Sequence, residues 1–292
     1  MPGDSRSDFR EQFRLAKLGL HHPEPHHFII PQCLKPKAYI LWVVAWALFY
    51  VSTLSLEVYY NTREARRPYF IFLTNWSYIL QAIVVFLDAG VTIYTHTQRK
   101  DIRNGECKTT TWYMRLLWVL FNVSNTVSVI VTLAYHVLLD PTFGYNSIYT
   151  HLLNSVYTIL TLLFCAKPVH LLHVYQPIIY SVIYIIFSSI YHVTGNEPIY
   201  NVLNWDKTGT AVMYSCLIAF VGVPIVHVAI FAIYTLRLFV SVKMNCIGMQ
   251  KKLMDDDIHS EVTSRNIALD LYKEQEQSPS SNSSNIVKPE GK

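Results

Sequence analysis

The sequence predicts an all-α, polytopic membrane protein with six transmembrane helices in one bundle. Of its 292 residues, 51% are hydrophobic and only 15% charged, where a soluble domain carries about 25% charge. The apolar residues are bunched into runs of about 20, each long enough to cross a hydrocarbon core about 30 Å thick. The continuity of these runs excludes a sheet, because open strand edges are not tolerated in lipid.

The predicted spans are, in order, about 38–60, 69–94, 112–139, 147–166, 172–195 and 209–240. The last is long enough to tilt or to run on into an interfacial stretch. Residues 1–36 are polar and mixed in charge, with "HHPEPHH" (21–27) breaking any helix there, and they give no cleavable signal peptide. Together they predict an N-terminal tail, a membrane domain over 37–243 and a C-terminal tail over 244–292. That last segment turns Ser-rich at "SPSSNSSNIVKPEGK" and reads as disordered. The five cysteines are scattered without paired spacing, which indicates neither a disulfide framework nor a zinc site. Cys246 is placed for palmitoylation or as an inert thiol. No Walker, GxGxxG or HExxH pattern occurs, so no cofactor, metal or nucleic-acid partner is expected.

Lys and Arg set the expected orientation. With the N-terminus in the cytosol, the inner set holds Lys17, Lys35, Lys37, Arg99, Lys100, Arg103, Lys108, Lys167, Arg237, Lys243, Lys251 and Lys252, which is twelve. The outer set is Arg63, Arg66, Arg67 and Lys207, which is four. Both termini are therefore expected in the cytosol, with the plasma membrane preferred over the endoplasmic reticulum.

Orientation converts position into depth. Thr74, His151 and Asn154 fall roughly 6–10 Å inside the outer boundary at 1.5 Å of rise per residue. Glu57, His136 and His192 each stand about one turn before the outer end of their spans. Five of six helices thus bring a polar or ionisable side chain to one outer layer, with Asn75 beside Thr74. Within it, a threonine hydroxyl needs a base to become a nucleophile, and His151 or His192 would supply one. Asn75 or Asn154 would donate to a developing oxyanion. Deeper lie Asp88, Asn122, Asn125 and His227, with His173 at the inner rim. Asn122 and Asn125 share a helix face and are expected as interhelical fasteners. Asp88 is expected to reach the interface or pair with a basic loop residue, and His227 to be a satisfied packing residue.

These residues carry a family likeness. "FLTNWSYILQA" (72–82), Asp88, "THLLNSVY" (150–157), "KPVHLLHVYQPIIYSVIYIIFSSIYHVTG" (167–195) and "IYNVLNW" (199–205) resemble the rolling stone family of multi-pass membrane proteins. The resemblance implies a role in myoblast fusion, a process rather than a mechanism. More distantly, Phe72-Leu73-Thr74 and "HVTG" (192–195) are similar to the androgen-induced family of intramembrane hydrolases, which cleave fatty-acid esters with a threonine and a histidine. The chain departs from that pattern. If His151 matches the first of two histidines spaced three apart, Asn154 occupies the catalytic position; an ungapped alternative puts Thr158 there. Neither is a base at physiological pH, so His151 or His192 would have to serve.

Three functions follow. The first is a cell-surface protein of fusion or membrane organisation, acting through the bilayer and lateral protein partners because its outer loops are short. The second is a threonine-dependent hydrolase of a lipid ester in the outer leaflet. The third is a small-solute transporter lined by Asp88, Asn122, Asn125 and His227.

Overall fold

The computed structural model describes residues 11–64, 68–138 and 152–246, with residues 252, 263, 266 and 267 beyond them. All its regular elements among these residues are helical. They are α1 (Pro36–Glu64), α2 (Leu73–Gln98), α3 (Trp112–Leu138), α4 (Leu153–Phe164), α5 (Tyr175–Val193), α6 (Thr208–Leu217) and α7 (Val223–Lys243). One π-helical turn, Ile218–Gly222, joins α6 to α7 into a single apolar rod. The described residues from 11 to 246 belong to one compact unit.

Among the described residues, five stretches are long and apolar enough to cross a membrane: Pro36–Glu57, Leu73–Gln98, Trp112–Val137, Leu171–Val193 and Trp205–Lys243. The fourth predicted span appears only as α4, whose 12 residues reach about 18 Å at 1.5 Å each. Residues 139–151, which include the start of that span, lie outside the described residues.

α3 is the axis of the bundle, packing against α2, α4, α5 and α7. Its membrane window is 67% buried, the most of any span. Polar fasteners follow from this, since a hydroxyl or amide facing a neighbouring helix in lipid must find its partner there. Ser124 and Ser128 of α3 both donate to Gln81 Oε1 of α2, the former at 3.1 Å. Ser155 of α4 donates to Thr132 Oγ1 at 2.7 Å. The amide expected as a fastener at Asn122 holds His173 Nδ1 and Gln176 Oε1 at 3.0 and 3.1 Å. Asn125 does not act so: it is buried, and neither side-chain atom has a hydrogen-bond partner among the described residues.

α5 stops where Gly195 adopts φ +90°, a conformation that side chains rarely take, and its N–H returns to His192 O at 3.0 Å. The π turn sits one residue before Val223-Pro224. Proline lacks an N–H and its ring crowds the carbonyl four residues back, so the hydrogen-bond ladder shifts register there.

Two expectations change at the terminal end of the bundle. The segment expected as a loose N-terminal tail is folded onto the helices from Leu15 onward. Phe28 and Ile29 are fully buried, and Ala166 N–H donates to Ile30 O while Gln32 N–H donates to Phe164 O. The apolar triplet Phe28-Ile29-Ile30 outweighs the polar residues around it by burying against Trp118 and Phe121. Cys33 is also disulfide-bonded to Cys246, which removes Cys246 as a palmitoylation site. Sequence spacing gave no hint of a pair 213 residues apart. A permanent bridge belongs to an oxidising compartment, which stands against the expectation, from the Lys and Arg count, that both termini lie in the cytosol.

Candidate functional site

Thr74 lies in the first turn of α2, half-buried. Phe72 occupies the cap position and offers no side-chain hydrogen bond, so the orphan N–H of Leu73 is satisfied from elsewhere. It donates to Tyr184 Oη at 3.1 Å and to Tyr200 Oη at 3.0 Å. Tyr184 in turn donates to Ile71 O at 2.8 Å. Tyr200 is also within hydrogen-bonding reach of Thr74. Burial pushes the Tyr200 phenol above its ordinary pKa, so it stays a neutral donor. Three hydroxyls thus meet at the start of α2.

They face a cavity of about 80 Å³ lined otherwise mainly by apolar side chains of α3, α5 and the 202–218 segment, among them Val131, Ala134, Ile185 and Leu203, with Tyr135, Ser181 and Ser215 as the other polar members. The cavity shares Ile130, Ala134 and Ile218 with a second, almost wholly apolar groove of about 290 Å³ between α3 and the π turn. Leu133, Val137, Leu217 and Ile225 on that groove are exposed, as lipid-facing residues are. The groove on the outside of the bundle and the cavity at Thr74 therefore abut across Ile130, Ala134 and Ile218.

The other residues of the expected outer layer divide. Asn75 donates to Tyr69 O at 2.7 Å and thereby ties the turn before α2. Asn154 is buried and accepts from Tyr50 Oη at 2.9 Å, a fastener between α4 and α1. Glu57 is buried on α1. His136 is exposed and engages Thr132 O of its own helix at 2.8 Å, which does not direct it toward Thr74. His192 engages the Asp206 carboxylate at 3.1 Å through Nε2, while its buried Nδ1 has no partner among the described residues. It stands eight residues beyond Tyr184 on α5, about 12 Å along the axis. His151 lies outside the described residues.

The deeper polar residues other than Asn125 are committed. Asp88 Oδ2 accepts from Lys167 Nζ and from Tyr39 Oη, both at 2.8 Å, and Lys167 also reaches Tyr39 Oη. The basic loop partner expected for Asp88 is therefore Lys167, fully buried rather than at a surface. Arg237, counted as a loop charge, is buried within α7. His227 is satisfied by His170 O at 3.1 Å and Thr126 Oγ1 at 3.3 Å. Sequence reasoning missed Tyr39, Tyr184 and Tyr200. Twenty tyrosines in the chain gave no reason to single out three.

The family model described as "Protein rolling stone" matches residues 3–250. This chain belongs to the rolling stone family. Protein rolling stone of Drosophila melanogaster is 25% identical to it over 258 residues, covering 80% of this chain and 91% of that protein. No solved structure matches. The family match takes in both the hydroxyl cavity and the N-terminal segment packed beneath the bundle, so neither belongs to a foreign appendage.

Electrostatics at the terminal end of this rolling stone relative make it acid-sensitive. His170 is buried, its ring 4.8 Å from both Trp118 and His173, and its Nδ1 is 3.3 Å from Lys17 O. Burial first, then the neighbouring His173 and Lys17 charges, lower its pKa from 6.5 to about 3. Between those values only the unfolded chain takes up the proton, so its contribution is complete above pH 6.5 and is lost as pH falls. Acidification from pH 6.5 to 5 should cost about 2 kcal/mol at this one group. Thermal unfolding in detergent at the two pH values, compared with His170→Gln, measures it. An equally steep loss in the variant would assign the acid sensitivity to other groups.

Proposed function

We propose that this protein spans the plasma membrane six times with both termini in the cytosol and organises lipid around itself. On this reading it draws one acyl chain from the leaflet opposite the termini along the α3–π-turn groove to the Thr74 cavity. The observation that carries the proposal is that the apolar groove edged by lipid-facing Leu133 and Val137 abuts, across Ile130, Ala134 and Ile218, the cavity lined by Thr74, Tyr184 and Tyr200. Acyl methylenes gain the burial, while the hydroxyls suit an ester or headgroup oxygen. A role in cell–cell fusion, which the family likeness implies, would then act laterally. Connections as short as that between Val193 and Trp205 offer far less than the ~800 Å² per partner of a stable interface.

The test is photolabelling of the protein in nanodiscs with a diazirine-bearing phospholipid. Crosslinks should concentrate on α3 and the π turn, and Ala134→Trp, which fills the junction of the two cavities, should lower labelling about tenfold, equivalent to 1.4 kcal/mol. Labelling spread evenly around the bundle, or indifferent to the tryptophan, would remove the proposal.

Thr74 at the head of the cavity favours a second reading, an intramembrane lipid-ester hydrolase. An imidazole, His192 or His151, would take the Thr74 proton as the threonine oxygen attacks the ester carbonyl. The alcohol would leave with a proton, and water would then release the acid. His192 is paired with Asp206, but it stands about 12 Å along α5 from Tyr184, so on this reading it would have to move toward Thr74 to act as its base. Thr74→Ala should abolish turnover of a fatty-acid ester, by about 10²-fold or more, while Thr74→Ser retains part of it. No turnover by the intact chain would leave the lipid-organising role alone.

A further inference from the structure

We propose that "HHPEPHH" is a divalent transition-metal site of the zinc class, with His22 Nε2 and His27 Nδ1 as ligands and Glu24 as the carboxylate that completes or orients them. Two nitrogens bound tetrahedrally at 2.0–2.1 Å stand about 3.3 Å apart. His22 Nε2 and His27 Nδ1 face each other at 3.1 Å, so an ion enters with a shift of a few tenths of an ångström. Glu24 Oε2 lies 3.1 Å from the other nitrogen of His27. A carboxylate accepting there fixes the proton on Nε2 and turns the Nδ1 lone pair toward His22, which is the arrangement that supports metal-bound histidines. Each of the three residues offers a ligand atom, and all three atoms lie within 4.8 Å of one another.

A second observation points the same way. The ring of His26 stands 4.5 Å from that of His27, and its buried Nδ1 has no hydrogen-bond partner among the described residues. A further nitrogen donor is thus held beside the pair without a competing contact.

The cluster is built rather than loose. Pro23 and Pro25 restrict the backbone on either side of Glu24, and the single helical turn Pro25–Phe28 sets His26 and His27. His22 N–H donates to Thr110 Oγ1 at 2.8 Å, and Thr110 donates back to His22 O at 3.1 Å. Phe28, the next residue along, is fully buried. Imidazole and carboxylate donors together suit zinc, copper or nickel rather than calcium or magnesium. By contrast His170 and His173, three apart, already face the carbonyls of Lys17 and Gly19. The ion would fasten the segment before α1 to the loop before α3, through Thr110.

The experiment uses the full chain in detergent, carrying no polyhistidine tag and dialysed against EDTA, titrated with ZnCl₂ by calorimetry. One saturable equivalent is expected. Affinity should fall about 100-fold in His22→Gln and His27→Gln, and about 10–100-fold in Glu24→Gln, while His170→Gln is unchanged. Cupric ion should quench Trp118, whose ring is 6.1 Å from His22. Should a variant fail to fold, protection of His22 and His27 from diethylpyrocarbonate by zinc in the unmodified chain decides the matter. Absence of a saturable equivalent, or zinc that leaves both histidines reactive, would reduce the contact to a hydrogen bond between two neutral rings and overturn the site.

Discussion

Lys167→Met should destabilise the membrane domain by about 3–5 kcal/mol, because it leaves the Asp88 carboxylate buried without its counter-charge. Both side chains are almost wholly inaccessible, at 0% and 2% exposure. Lys167 Nζ also stands over the Tyr39 and Phe121 rings at 4.7 and 5.5 Å, so the ammonium is held by a carboxylate, a phenol and two π faces. The double variant Lys167→Met, Asp88→Asn should recover most of the loss, since removing a buried pair together is far cheaper than stranding one member. Unfolding midpoints in one detergent across the four proteins complete a double-mutant cycle. A double variant as unstable as the single would show that Lys167 matters for packing rather than for charge.

Arg237→Met should cost about 3 kcal/mol or more. The guanidinium donates to Leu162 O at 2.8 Å and to Lys167 O at 2.9 Å, and it lies over the Tyr234 ring at 5.0 Å. Leu162 is in the last turn of α4, where carbonyls have no intrahelical partner. The forked cation is therefore the C-terminal cap of a neighbouring helix, and each charge-assisted bond contributes about 1.5–3 kcal/mol. Arg237→Lys should recover less than half of it, since one ammonium cannot span both carbonyls as a planar fork does. Hydrogen exchange at residues 162–168, faster in Arg237→Met and near normal elsewhere, would locate the damage. Uniform acceleration across the bundle would deny the capping role.

Both predictions concern charges that the sequence reading placed in loops. Removing Lys167 and Arg237 from the twelve inner charges leaves ten against four, so the asymmetry survives while the reason for these two residues changes. Isolated in a hydropathy pattern, a basic residue at a span's edge looks solvated, because sequence gives its depth but not what lies beside it. The same limit hid Tyr184 and Tyr200. Their role comes from an uncapped N–H 111 and 127 residues away, a distance across which no local pattern operates. Thr74 was legible because a hydroxyl amid apolar neighbours is conspicuous, and Asp88 because a lone carboxylate in a span demands a partner.

Sequence alone determined that this chain is helical and membrane-embedded, since about 20 apolar residues in a row have few other stable arrangements in water or lipid. It also determined the family, through motifs contiguous along the chain. Only the tertiary structure decided that the N-terminal segment packs beneath the helices, that Cys33 meets Cys246, and that Asp88 meets Lys167. Those outcomes depend on contacts between residues far apart in the chain, and such contacts are settled by the packing of the whole bundle rather than by local preference.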